Sequence, residues 1–316
     1  MKRRLGFLLV LALTMVFAAE AVPARATFPG TNGLIAFGSD RSGDTHNIFT
    51  MTSDGIVTRQ LTFIASPDDG AALRQAWSPD GSKLVFEQRN ADQSVRQIFM
   101  IDADGSHEHV LVADQPPYTD FHPSFSPDGR VVIFSRCRFD LEACAIYTIK
   151  TDGRGLTAVT SLSQNAKNNV TDFKPRYSPD GKSISFDGIN RGGVTGAVYV
   201  ANSRGAGVRR ITQADVEAFD NEWAPSGARL AFSTNCCRNA SSNDLWSVSP
   251  DGSNLVQLTS GFHDFSPSYS PQGDQIAFER DDFDTGASSI LTMTSTGSTP
   301  VTIQTDAFLP AWGPAR

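Results

Sequence analysis

The 316-residue sequence predicts an all-β fold: a six-bladed β-propeller of four-stranded antiparallel blades, closed by the C-terminal strand. Three phased observations carry the prediction. A Ser-Pro-Asp-Gly turn recurs at Ser78–Gly81, Ser126–Gly129 and Ser178–Gly181, with looser copies at Ala224–Gly227 and Ser270–Gly273 and a degenerate Asn32-Gly33. Glycines follow at Gly55, Gly105, Gly153, Gly205, Gly252 and Gly297, each six residues after a large side chain (Phe49, Phe99, Tyr147, Tyr199, Trp246, Leu291). After each turn comes a phenylalanine: Phe37, Phe86, Phe134, Phe186, Phe232 and Phe278. Successive turns from Ser78 onward are 48, 52, 46 and 46 residues apart, and Asn32-Gly33 falls 48 residues before Asp80-Gly81. That period suits one blade per repeat.

The first element in the chain is a leader. Lys2-Arg3-Arg4 is a charged start, Leu5–Ala19 an apolar run, and Ala24-Arg25-Ala26 a small-residue cleavage site, so residues 1–26 are expected to be a bacterial signal peptide. The run is shorter than the roughly twenty residues a membrane span needs. Residues 27–316 are then the propeller, exported to the periplasm, the cell envelope or the medium, with no transmembrane segment after cleavage. Without the leader the chain carries 23 basic and 33 acidic residues, a net charge of −10. Such acidity argues against nucleic acid or an anionic membrane as partner, because phosphate binding relies on clustered Lys and Arg.

Each repeat resolves into four strands. The first ends in an aromatic residue just before the turn, where Pro sets φ, Asp suits the next position and Gly returns the chain. The second carries the marker phenylalanine, as in Lys83-Leu-Val-Phe86 and Arg229-Leu-Ala-Phe232. A third holds the large side chain before the second glycine, and a fourth follows that glycine. These segments are short, β-branched or aromatic, and bounded by turn residues. No segment beyond the leader shows a sustained helical period with caps. The pre-turn aromatics are Trp77, Phe125, Tyr177, Trp223 and Tyr269, and a sixth stands at Trp312. The C-terminal segment is therefore expected to supply the innermost strand of the blade that Gly33–Phe37 begins.

The Ser-Pro-Asp-Gly turn, the strand ending in Phe, the Asp-Gly turn and the closing Leu61-Thr62 and Leu258-Thr259 resemble the PD40 repeat of the TolB-like propellers. The resemblance spans the mature chain and implies the fold firmly but not one activity, since such repeats also occur in propeller domains of prolyl-oligopeptidase-type peptidases. The family's namesake carries an additional N-terminal α/β domain, with no counterpart expected here because the repeats start almost at the cleavage site. There is no Gly-x-Ser-x-Gly elbow with a following Asp and His, so no catalytic residue is assigned.

Four cysteines in an exported chain are expected to be oxidised. Cys137 and Cys144 flank one hairpin loop and should staple it. Cys236 and Cys237 are adjacent, and either bridge each other or pair crosswise with the first two. The tight turns lie on one rim of the ring, and the longer, variable loops share the other rim with the entries to the inner strands. Function is expected on the variable rim.

Those entries repeat a pattern: Asp120-Phe-His122-Pro, Asp172-Phe-Lys174-Pro and Asp264-Phe-Ser-Pro, with Asp220 and Asp306 close to the same place. In one reading these carboxylates ring the channel mouth and take a cation or a basic peptide. In the other each Asp bonds its own loop, as Asp does in turns, and the repetition favours this second reading. His46, His122 and His263 also fall on the variable rim. Propeller lyases of acidic sugars, such as oligogalacturonate lyase, use a His-bound metal in a comparable location, which makes these three the ligand set of an alternative reading. The first expectation is a monomeric binding scaffold for a protein or peptide, without a cofactor unless a cation sits in the channel. The alternative is a metal-dependent polysaccharide lyase or hydrolase.

Overall fold

The computed structural model describes residues 28–43, 45–92, 95–190, 195–213, 216–235 and 242–316. The expected leader and the Cys236-Cys237 pair lie outside them. Six four-stranded antiparallel sheets form a closed ring. From the channel outward, blade 1 consists of Phe308–Pro314, Asn32–Ser39, Asn47–Met51 and Val57–Gln60. Blade 2 consists of Ala71–Trp77, Lys83–Arg89, Arg96–Asp102 and His109–Val112. Blade 3 runs Tyr118–Phe125, Val131–Arg138, Ala143–Lys150 and Thr157–Ala158. Blade 4 runs Val170–Tyr177, Ser183–Asn190, Thr195–Asn202 and Arg209–Arg210. Blade 5 is Glu217–Trp223, Leu230–Asn235, Asp244–Val248 and Val256–Gln257, and blade 6 is His263–Tyr269, Gln275–Asp282, Ala287–Thr294 and Val301–Thr305.

The two aromatic markers prove to be cross-strand partners. Phe37 faces Phe49, Phe86 faces Phe99, Phe134 faces Tyr147, Phe186 faces Tyr199, Phe232 faces Trp246 and Phe278 faces Leu291. All six phenylalanines are at most 2% exposed. Each packs against the preceding blade: Phe86 on Ala36 and Ile48, Phe134 on Val85 and Ile98, Phe232 on Val198, Phe37 on Ala277 and Ile290. One repeated residue thus cements each interface between blades, burying a side chain worth roughly 2–3 kcal/mol.

Closure follows the expected route. Ile35 pairs with Trp312 and Ala36 with Ala311, so the last strand completes the first sheet. The Trp77 indole N–H donates to the Ala311 carbonyl at 3.0 Å, joining blade 2 to that strand. Gly313 is required there, since a Cβ would lie 2.6 Å from the Trp77 ring.

The turn rim is held by local bonds. Ser78 Oγ donates to Asp80 Oδ1 at 2.6 Å and accepts from the Lys83 N–H at 2.9 Å, and Ser126 and Ser178 repeat the arrangement. Among the described residues one α-helix, Leu162–Asn168, forms where the sequence beyond the leader shows no sustained helical period. Its N-cap is Ser161 and it ends on left-handed Asn169 at φ 56°, and two turns are too short to show a period in sequence. Cys137 and Cys144 sit directly opposite on the hairpin of blade 3 and form the expected disulfide. Among the described residues no helix is long and apolar enough to cross a membrane.

Candidate functional site

Every inner strand slips register by one residue at the same place: Leu73/Ala76, Phe121/Ser124, Phe173/Arg176, Phe219/Glu222 and Phe265/Ser268, with an equivalent irregularity between Phe308 and Ala311 in the closing strand. The bulged residue is left-handed in all six blades: Arg74 (φ 55°), His122 (55°), Lys174 (46°), Asp220 (63°), Ser266 (49°) and Leu309 (51°). Four of them precede a proline (Pro123, Pro175, Pro267, Pro310), which disfavours the right-handed helical region for the residue before it and suits a bulge. Such a conformation is costly for a residue with a Cβ and persists only where neighbours over-determine it.

Those neighbours come from the adjacent blade. In three blades the residue after the marker phenylalanine accepts the N–H of the next blade's bulge, Ser135 from Lys174 at 3.0 Å, Asp187 from Asp220 at 2.7 Å and Glu279 from Leu309 at 2.9 Å, and in a fourth the Ser266 N–H donates to Asp220 of the adjacent blade at 3.2 Å. The bulge turns six unlike side chains toward the axis, where they line a channel of about 320 Å³. Phe28, packed among Trp77, Phe125 and neighbouring residues at the turn-rim end, lies at the floor of this channel.

The channel wall is divided by charge. Arg74, Lys174 and Arg176 form the cationic arc together with the neutral His122, and Asp220, Glu222 and Asp281 form the anionic arc together with Glu279, whose carboxyl burial keeps protonated. The arcs meet where Lys174 Nζ pairs with Asp220 and, one layer lower, where Arg176 Nε meets Glu222 Oε2 at 3.0 Å. Burial pushes Asp220 up, but Lys174 and the Ser266 N–H outweigh it and hold the carboxyl below its ordinary value. Burial, with Arg74, Lys174 and Arg176 nearby, holds His122 well below the ordinary imidazole range, so it is neutral at physiological pH. Its Nδ1 is buried without a hydrogen-bond partner. Burial raises Asp187 to about 6, and burial with the charges of Asp281 and Asp220 raises Glu279 to about 8.

The sequence-selected residues divide cleanly. His122, Lys174 and Asp220 are brought together in the channel. Asp120, Asp172 and Asp264 do not line it: they stand one residue before the Phe that precedes each bulge, where Asp120 and Asp264 turn to an arginine on the adjacent strand and Asp172 to the helix before its blade. Asp120 takes both Arg136 Nε and Nη2 at 2.7 Å, and Asp264 takes Arg280 at 2.6 and 2.9 Å. Asp172 accepts from Asn165 Nδ2 of the helix at 2.6 Å. Burial raises Asp120 and Asp172 above the usual carboxylate range despite these partners. Asp306 is exposed on the rim, its carbonyl accepting from Ser39 Oγ at 2.5 Å.

The three histidines are not assembled into a ligand set. His46 meets Phe308 edge-on at 4.9 Å, His263 stacks on Phe283 at 3.9 Å, and His122 stands in the channel wall. Among the described residues no group of three or more His, Cys, Asp or Glu side chains could hold a metal ion. Sequence reasoning passed over Arg74, Arg176, Glu222, Asp187 and Glu279. The signal for the last two was their place after the marker phenylalanine, where Gly38, Ser135 and Ser233 alternate with Glu87, Asp187 and Glu279.

Fold and channel define a class, the closed propeller with a charged axial channel and one variable rim. Within that class the sequence matches the TolB beta propeller domain (PD40) over residues 12–170 and 145–316, and the chain belongs to that family. It is 26% identical to an uncharacterized protein of Agrobacterium fabrum over 209 residues, 66% of this chain and 65% of that protein. It is 24% identical to the Tol-Pal system protein TolB of Francisella tularensis subsp. mediasiatica over 230 residues, 58% of this chain and 50% of the relative. The chain thus spans between half and two thirds of these relatives' lengths. The crystal structure of TolB from Acinetobacter baumannii superposes with a TM-score of 0.70 at 22% identity, covering 90% of this chain and 67% of that one. An oligogalacturonate lyase in complex with manganese superposes at 0.58 and 15% identity, covering 84% and 72%, and shows the fold alone.

Proposed function

We propose that this chain is an exported binding scaffold that receives a protein or peptide partner on its loop-rich rim, over the mouth of the charged channel. The observation that carries the reading is the channel itself. It has an aromatic floor at the turn rim and a wall divided between cationic and anionic arcs, which leaves the loop rim as the way in. A wall of paired charges held by neighbouring blades is preorganised to recognise charge with little rearrangement. Membership of the TolB propeller family supports a protein partner, as do relatives that carry the name of the Tol-Pal system. Export, to the periplasm or beyond, accords with the leader expected at residues 1–26 and with the Cys137–Cys144 disulfide. The lyase alternative rests on a shared fold without an assembled ligand set, and it is not the reading favoured.

Photo-crosslinking tests the reading. A crosslinking amino acid at Asp40 or Asp306 on the loop rim should capture a discrete partner in cells of the source organism, and one at Asp128 on the turn rim should not. Capture only from Asp128 would sink the proposal.

A further inference from the structure

The Asp of the repeated inner-strand entry occurs in three blades, and in two of them it faces an arginine across the strands. Asp120 is paired with Arg136 in blade 3 and Asp264 with Arg280 in blade 6. In blade 4 the same register sets Asp172 opposite Gly188. Arg136, Arg280 and Gly188 each stand two residues after the marker phenylalanine, Phe134, Phe278 and Phe186 respectively. The arginines also lie over aromatic rings. Arg136 is 5.8 Å from the centre of Phe134 and 5.5 Å from that of Tyr147, and Arg280 is 5.6 Å from that of Phe278. Blade 4 keeps the two rings, Phe186 and Tyr199, but has no guanidinium at the matching position.

A cavity of about 340 Å³ stands at that place. Asp172, Asn165, Phe186, Gly188 and Tyr199 are among its walls, and among the described residues no lysine or arginine lines it. Asp172 is only 8% exposed, yet its bonded neighbours are neutral: Asn165 Nδ2 at 2.6 Å and the Thr160 hydroxyl. The ion pairs of Asp120 and Asp264 have no counterpart at Asp172 among the described residues. A buried carboxylate without a cation is an incomplete pair. Gly188 shapes the space, since a Cβ there would stand 2.8 Å from the Tyr199 ring, and the ring lies against the backbone as a wall. The helix Leu162–Asn168 belongs to the 52-residue repeat and contributes Asn165. Gln164 and Val208, both exposed, also line the cavity, so it opens to solvent.

We propose that this cavity binds a guanidinium group from outside the chain, seated against Asp172 and stacked on Tyr199, as Arg136 is seated against Asp120 beside Tyr147. A guanidinium suits the place better than an ammonium, because its planar fork meets a carboxylate with two bonds and its face stacks on a ring. The group is carried either by an arginine side chain of a partner or by a free guanidino compound. The cavity shares no residue with the channel, so the site is independent of the loop-rim reading.

The test is isothermal titration calorimetry of the whole chain with N-acetyl-arginine amide, ethylguanidinium and the neutral isostere N-acetyl-citrulline amide. A guanidinium probe is expected to bind, and the citrulline probe about tenfold more weakly or not at all. Binding of both guanidinium probes assigns the site to an arginine side chain, and binding of ethylguanidinium alone assigns it to a free guanidino compound. Asp172→Asn should weaken the interaction about tenfold or more, and Tyr199→Leu about threefold. Gly188→Arg supplies the group from within the chain, as blades 3 and 6 do, and should abolish binding. Thermal melts confirm that each variant is folded, and Gly188→Arg carries the test if Asp172→Asn is not. Failure of both guanidinium probes, equal binding of the citrulline probe, or an affinity unchanged in Asp172→Asn or Gly188→Arg would each overturn the proposal.

Discussion

The turn rim and the loop rim come from the same six repeats, yet they are held in different ways. On the turn rim one local device recurs. A serine hydroxyl ties the Asp of its own turn, as in Ser78–Asp80, Ser126–Asp128 and Ser178–Asp180, and the partners are two residues apart in sequence. Around the loop rim the ties reach further and vary from blade to blade, with the Asp120–Arg136 pair recurring as Asp264–Arg280 in blade 6. Asp120 grips Arg136 sixteen residues on, Asp172 meets Asn165 of the helix, and Lys174 crosses to Asp220 in the next blade. Repeated local bonds build a scaffold whose parts are interchangeable. Single, buried, charged contacts fix loops that differ from blade to blade, and this is the rim on which recognition is placed.

Four measurements bear on that contrast. Asp120→Ala strands the nearly buried Arg136 guanidinium, so chemical denaturation should show a loss of about 3–5 kcal/mol. Equal stability of variant and parent would remove the distinction between the rims.

Glu279 gives the next largest effect, and it depends on pH. In the folded chain its carboxyl keeps its proton up to about 8, whereas in the unfolded chain it ionises near ~4.3. The folded state binds the extra proton between these values, so stability falls as pH rises through that window and levels off above it. Glu279→Gln should abolish most of this slope and be the more stable chain at pH 9, by on the order of a few kcal/mol. Parallel melting curves for the two chains from pH 5 to pH 9 would refute the assignment.

Replacing Cys137 and Cys144 by Ser opens a staple that spans a sequence separation of only 7. Closing so short a loop is worth about 2 kcal/mol, and the loss should appear as a lowered Tm with the far-UV spectrum unchanged. The smallest change is expected on the turn rim, where Asp128→Ala removes one of several equivalent bonds and should cost about 1 kcal/mol. A cost matching that of Asp120→Ala would mean that the two rims are held by comparable means after all.

The repeats made most of the fold legible before any coordinates. Marker phenylalanines, pre-turn aromatics and glycines recur because each blade solves the same packing problem, and Trp312 completes the series where closure requires it. The channel wall was legible only in part. His122 and Lys174 were found because they stand beside the repeated Asp-Phe pair, but the carboxylates that repeat most regularly, Asp120, Asp172 and Asp264, stand outside the channel. Arg74, His122, Lys174, Asp220, Ser266 and Leu309 share a position and no chemistry, so no residue pattern marks them.

By itself the sequence determined the number of blades and the strand that closes the ring, since each follows from local turn chemistry or from a repeated burial requirement, whereas it left the pairing of Cys137 and Cys144 open to a crosswise alternative. Only the tertiary structure decided which side chains face the axis. A single bulged residue in each inner strand reverses the faces of the pleat, and at Lys174, Asp220, Ser266 and Leu309 the bulge N–H donates to a side chain of the neighbouring blade. That partner lies tens of residues away, as Ser135 does from Lys174. The same closure around the ring gathers blades 2 to 6 into one wall and so divides the channel into its cationic and anionic arcs.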